Sequence, residues 1–258
     1  MEPTALPSIQ SLLIQPYFND QKLGDATGFV VIAPSGRPYL ITNWHVVSGR
    51  DPRTDKLTDK TTAAIPNKLI IHHNKIGQRG DKIVITECLY AGSDEQPDKP
   101  FWIEHPVLGR EVDVVALELT HLEDVELLPY DITNTRAEYE TPTIGPADSV
   151  SVIGYPFGIT GGESFAVWVS GSVASEPAAD YDKKPMFLID CRARPGQSGS
   201  PVIAYTPAGG SFRNNGALAI SSDEITHFLG IYSGRVNDKS DLGMVWKARV
   251  IEEILKDR

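Results

Sequence analysis

The sequence predicts an all-β domain, a sandwich or barrel rather than a helical bundle. The first observation behind this is that 22 glycines and 19 prolines are scattered through all 258 residues, as many short strands joined by many turns require. The second is that apolar runs are short and bounded by turn residues, with helical spacing only near the C-terminus. A hydrophobic content of 41% provides for a sizeable core.

The first clear strand is Ala26–Ala33, stopped by Pro34-Ser35-Gly36-Arg37-Pro38, whose residues supply the fixed or positive φ that a turn needs. Tyr39–Thr42 resumes the β pattern and completes a hairpin, from which Asn43-Trp44-His45-Val46-Val47 follows directly. Polar residues from Ser48 to Thr62 read as a surface loop. Strand candidates follow at Lys68–His72, Lys82–Tyr90 and Val112–Leu119, with a turn-rich stretch from Ala91 to Pro100. A Thr- and Pro-rich segment, 128–147, reads as a linker between an N-terminal half (1–127) and a C-terminal half (148–258). The second half opens with Ser149–Gly154 and continues through Ser164–Ser172, Pro185–Asp190, Pro201–Ala204 and Phe228–Tyr232. Val250, Ile251, Ile254 and Leu255 fall at helical spacing, which predicts a helix over Val245–Leu255 packed on the second half.

A formal charge of −10, from 24 basic and 34 acidic residues, disfavours nucleic-acid and anionic membrane partners. The N-terminus shows neither a basic nor an apolar leader region, and no apolar run approaches membrane-spanning length, so a cytoplasmic location is expected. Cys88 and Cys191 are too few for a disulfide framework. Adjacent His72 and His73 would point to opposite faces of a strand, so no metal or cofactor is expected.

Nucleophilic acyl transfer needs a hydroxyl, a base, a carboxylate to orient the base, and donors for an oxyanion. Gly196-Gln197-Ser198-Gly199-Ser200-Pro201 can expose a hydroxyl while aiming amides into one space, with Gly196, Gln197 and Ser198 as the oxyanion-hole segment; it could equally be an ordinary loop. His45 lies just after a strand. Strand alternation places Asp113 on the face of Val115, Leu117 and Leu119, so it should be partly buried and partnered, by a histidine, an arginine or a backbone amide.

The segments Thr27-Gly28-Phe29-Val30-Val31 and Leu40–Val47, then Asp113–Leu117, Val152–Gly158 and Pro195–Pro201, resemble in this order the motifs of trypsin-like serine peptidases, closest in style to the bacterial HtrA/Deg-like branch. The resemblance implies two six-stranded antiparallel β-barrels with a short C-terminal helix, and hydrolysis of protein or peptide substrates through an acyl-enzyme. It makes Ser198 the nucleophile, His45 the base and Asp113 its orienter, with Ser200 a lower-ranked rival hydroxyl. It also makes Tyr232, Ser233 and Gly234 an edge that pairs with the substrate backbone, with Arg235 nearby to select anionic groups. Arg192, six residues before Ser198, would favour an acidic side chain if it lay at the pocket base, or would turn to solvent. Gln197 stands where digestive members carry Asp and HtrA-like members Asn, so activation by pairing with a newly cut N-terminus is not expected, and the chain after Tyr232 leaves no room for a PDZ module. A catalytically silent binding or regulatory fold, or an esterase on the same site, are the competing readings.

Overall fold

The computed structural model describes residues 4–93, 96–134, 141–162, 164–237 and 239–258. A one-turn helix, α1 (Pro7–Gln10), leads into β1 (Ser11–Phe18), β2 (Gln21–Lys22), β3 (Ala26–Ile32) and β4 (Pro38–Thr42), followed by α2 (Trp44–Ser48). The long hairpin of β5 (Lys68–Lys75) and β6 (Gln78–Cys88) comes next, then the short pair β7 (Tyr90–Ser93) and β8 (Gln96–Pro100), and then β9 (Trp102–Ile103), β10 (Val115–Glu118) and β11 (Val125–Glu126). These strands, apart from β7 and β8, form a nine-stranded sheet in the order β11-β5-β1-β3-β4-β10-β9, with β2 on β1 and β6 on β5. The second body consists of β12 (Ser149–Gly154), β13 (Val167–Val173), β14 (Met186–Cys191), β15 (Pro201–Thr206), a side hairpin of β16 (Ser211–Asn214) and β17 (Ala217–Ile220), then β18 (Ile225–Arg235), β19 (Leu242–Lys247) and α3 (Ala248–Leu255). Six of its strands close into a barrel, β12-β13-β14-β19-β18-β15.

The all-β, two-body, chymotrypsin-like architecture is therefore present, with the second body a closed six-stranded barrel and the first a sheet of nine strands rather than six. The extra strands are short edge additions such as β2 and β11, two residues each, which periodicity cannot register. Of the stretch read as a linker, 135–140 lie outside the described residues; the rest holds no strand, and Tyr130 and Ile132 are buried in the core. Likewise 94 and 95 of the stretch read as turn-rich lie outside them.

β3 shows how the halves join. Its alternating side chains serve two cores: Val30 packs inside the first body with Leu12, Leu40, Leu69 and Val115, while Phe29 and Val31 face a core shared with Ile153, Ile203, Phe228 and Trp246 of the barrel. The predicted helix begins later than its periodicity suggests. Leu242–Lys247 is a strand that pairs with both β14 and β18 to close the barrel, because Val245 and Trp246 satisfy a strand's period as well as a helix's. Nor does α3 pack on the barrel alone: Val250, Ile251, Ile254 and Leu255 sit in the shared core with Val112, Val114 and Ala116 of the first body.

Candidate active site

β4 ends at Thr42, and the chain turns at once into α2 through Asn43, an N-cap residue with extended backbone (φ −82°, ψ 149°). Gly49 ends α2 after one turn in left-handed conformation (φ 64°), its N–H donating to His45 O. His45 thus sits on a short helix rather than directly on a strand end. Asn43 makes no side-chain cap, and the orphan amide of His45 donates instead to Asp113 Oδ1 at 2.9 Å.

Asp113 lies two residues before β10, not on a strand, and is buried (3% exposed) because its loop is pinned by Asn43 Nδ2 donating to the Asp113 carbonyl at 2.7 Å. Its carboxylate accepts two further bonds, from His45 Nδ1 at 2.7 Å and from Ser233 Oγ at 2.6 Å. Three donors around one buried carboxylate are what stable burial of its charge requires. Nδ1 being the donor, Nε2 is the ring nitrogen left to accept a proton. Burial disfavours the imidazolium, yet the Asp113 charge, its hydrogen bond and nearby Asp51 together raise the His45 pKa above the ordinary histidine value.

Ser198 and His45 line one cleft, together with Asp25, Ala26 and Gly49. Among the described residues no hydrogen bond joins the Ser198 hydroxyl to the imidazole, whose own side-chain bond is to Asp113. The backbone around Ser198 is almost wholly committed. Arg194 O accepts from Gln197 N (3.1 Å), Pro195 O from Phe157 N (2.6 Å), Gln197 O from Ser200 N (3.0 Å) and Ser198 O from Thr27 N (2.8 Å). Gly196 O accepts from Thr27 Oγ1 at 2.9 Å. Of the amides, Gly199 N donates to Tyr232 O at 3.0 Å, and Arg194 N to Gln197 Oε1 at 2.9 Å. The N–H groups of Gly196 and Ser198 are the pair left without a partner among the described residues. Gln197, placed with them by its sequence position, spends its own amide inside the turn. Gly196 holds φ 97° and Gly199 φ 84°, and a Cβ on Gly196 would strike the Tyr155 carbonyl oxygen.

The other named residues fall in different places. Tyr232 is unavailable to a substrate backbone, because its N–H donates to Ser200 O (2.8 Å) and its carbonyl takes Gly199 N. Ser233 sits where the β18–β19 register shifts between Tyr232 and Gly234, and that bulge aims its hydroxyl at Asp113 rather than at substrate. Gly234 and Arg235 line a cleft of about 270 Å³ whose walls also include His45, Met244 and Trp246. Arg192 is 83% exposed, with Nε 4.0 Å from Asp241, and does not form a pocket base. Ser200 Oγ is fully buried against Gly154 and makes no hydrogen bond among the described residues, out of reach of a substrate. The Ser233 contact escaped sequence reasoning, since it depends on a bulge and spans 120 residues. No group of three or more His, Cys, Asp or Glu side chains that could hold a metal occurs among the described residues, nor any helix long and apolar enough to cross a membrane.

A family model described as a trypsin-like peptidase domain matches residues 26–207. No curated protein matches the chain significantly. Among solved structures, the inactive form of the Rv3671c protease of M. tuberculosis aligns over 97% of this chain and 89% of that one, at 20% identity and a TM-score of 0.47. The serine endoprotease of Yersinia pestis aligns over 100% and 69%, at 14% identity and a TM-score of 0.51, a likeness of fold.

Proposed function

Since the chain belongs to the trypsin-like peptidase domain family, we propose that it is a serine endopeptidase that cleaves protein or peptide substrates with Ser198 as nucleophile, His45 as base and Asp113 as its orienter. One observation carries this reading: beside the only partly buried Ser198, the uncommitted amides of the loop are those of Gly196 and Ser198. Two free N–H groups beside a hydroxyl can supply the donors that a tetrahedral oxyanion needs.

As substrate binds, Ser198 Oγ closes on His45 Nε2 and attacks the scissile carbonyl carbon while its proton passes to Nε2. The carbonyl oxygen, now an anion, accepts from Gly196 N and Ser198 N. Collapse breaks the C–N bond, and the departing amine takes the proton from His45, leaving an acyl-Ser198 ester. Water, deprotonated by the same nitrogen, releases the acid and restores the hydroxyl. Asp113 keeps its proton count unchanged throughout, holding Nδ1–H and stabilising the imidazolium. Gly234 and Arg235 are the proposed substrate contacts in the adjoining cleft.

A catalytically silent binding fold is favoured by one feature, that among the described residues no hydrogen bond joins Ser198 to His45. Labelling with a fluorophosphonate separates the readings, with Ser198→Ala as control. Wild type should be labelled at one site and hydrolyse a peptide library, and the variant should do neither; an unlabelled, inactive wild type sinks the peptidase mechanism. Lost peptide cleavage with retained ester hydrolysis would instead mark an esterase.

A further inference from the structure

The geometry points to Gln197 as a positioning residue that holds the Gly196 amide in its anion-binding orientation, through a clamp closed within the loop itself. This rests on Ser198 being the nucleophile. Gln197 is fully buried, although it lies in a turn beside exposed Arg194 and Pro195. It meets Arg194 twice: its amide donates to Arg194 O at 3.1 Å, and its side-chain Oε1 accepts from Arg194 N at 2.9 Å. These reciprocal bonds close a four-residue turn whose second and third residues are Pro195 and Gly196. Proline fixes one φ, and glycine supplies the φ of 97° at the other.

The consequence falls on one peptide unit. In the Pro195–Gly196 peptide the carbonyl and the N–H point in opposite directions. Pro195 O is held by Phe157 N at 2.6 Å, so Gly196 N points the opposite way and, among the described residues, stays without a partner for an anion to use. Phe157 reaches Pro195 only from a left-handed backbone (φ 55°), a conformation uncommon for a bulky residue. If the turn lost its side-chain clamp, the Pro195–Gly196 peptide could rotate, and its carbonyl would then present an acceptor where the oxyanion needs a donor.

Gln197 is suited to this by shape and charge. Its carboxamide reaches across the turn without placing a formal charge in a fully buried position, where an unpaired carboxylate would be costly. Oε1 has its donor, whereas Nε2 has no acceptor among the described residues, so the acceptor end is the end the turn uses.

The test compares full-length wild type with Gln197→Met, which keeps the volume and removes the acceptor, and Gln197→Asn, which keeps the amide on a shorter arm. Removing one oxyanion donor lowers kcat by about 100- to 1000-fold. We expect Gln197→Met to lose about 100-fold in kcat and in the rate of fluorophosphonate labelling, with KM changed by less than about threefold. The acid limb of the pH profile, set by His45, should stay in place, and Gln197→Asn should fall between the two. Circular dichroism and thermal melting establish that each variant is folded. A folded Gln197→Met with wild-type kcat overturns the clamp, as does a loss confined to KM. If Gln197→Met fails to fold, Gln197→Asn decides on the same readouts. Hydrolysis by wild type that survives Ser198→Ala would instead remove the nucleophile assignment beneath it, so the two failures are distinct.

Discussion

His45 and His73 are both held within the first body, and their surroundings push them in opposite directions. His45 is about one-fifth exposed, touches a carboxylate and has its pKa raised. His73, on β5, is 1% exposed, and its Nε2 has no partner among the described residues. Burial, then the cations of Lys82 and His72, push its pKa down to about 4. One ring is drawn toward a proton, whereas the other is kept from it, and the difference is the carboxylates, Asp113 first, beside one and the cations beside the other. Burial alone lowers a histidine's affinity for a proton; burial beside Asp113 raises it, as the proposed base requires.

Asp113→Asn should erase the contrast. It removes the charge that raises the His45 pKa and allows the wrong ring tautomer, so kcat should fall about 10,000-fold. In wild type the acid limb of kcat/KM should lie above the ordinary histidine pKa of 6.5, since His45 must be neutral to act and its pKa is raised. An acid limb at or below that value in wild type breaks the comparison, as does an Asp113→Asn enzyme with near-normal kcat.

His73 gives the next largest effect, on stability. Its folded pKa lies below its unfolded one, so the unfolded chain binds the extra proton as pH falls from 6.5 toward 4, and stability is lost over that interval. The loss is of order 3 kcal/mol if the shift is fully expressed. His72 and His227, also lowered, act with the same sign, whereas raised His45 acts against them. The melting temperature should therefore drop on acidification, and His73→Leu should flatten that drop; an unchanged slope would show that His73 takes up its proton without unfolding.

Ser233→Ala gives the smallest effect. It leaves Asp113 with two of its three carboxylate donors and should reduce kcat about tenfold, in line with one hydrogen bond to a charged group. Wild-type activity in this variant would assign the hydroxyl to packing alone.

Sequence patterning brought together groups that lie far apart along the chain, but not always for the right local reason. Asp113 reads as a strand residue because valines and leucines alternate after it, yet the strand starts at Val115, and burial comes from the Asn43 contact. The turn around Ser198 is legible because glycine at positive φ has a sequence signature. The β16–β17 hairpin carries a signal just as plain, Asn215-Gly216 at φ 46° and 84°, and could have been placed from it. β19 was not legible, since a short stretch, Leu242-Gly243-Met244-Val245-Trp246, that runs on toward a helix fits both periods until its partners are known. The Ser233 contact follows from a register shift, which no local pattern encodes.

Thr27 gives the loop a dependence of another kind. It belongs to β3 of the first body, yet its hydroxyl and its amide hold two carbonyls of a loop carried by the second. The chemistry therefore works as a gauge of docking: if the halves part by even a couple of ångströms, the Ser198 loop loses these ties as the core that both halves share opens with them, so activity and the packing between the halves should be lost together.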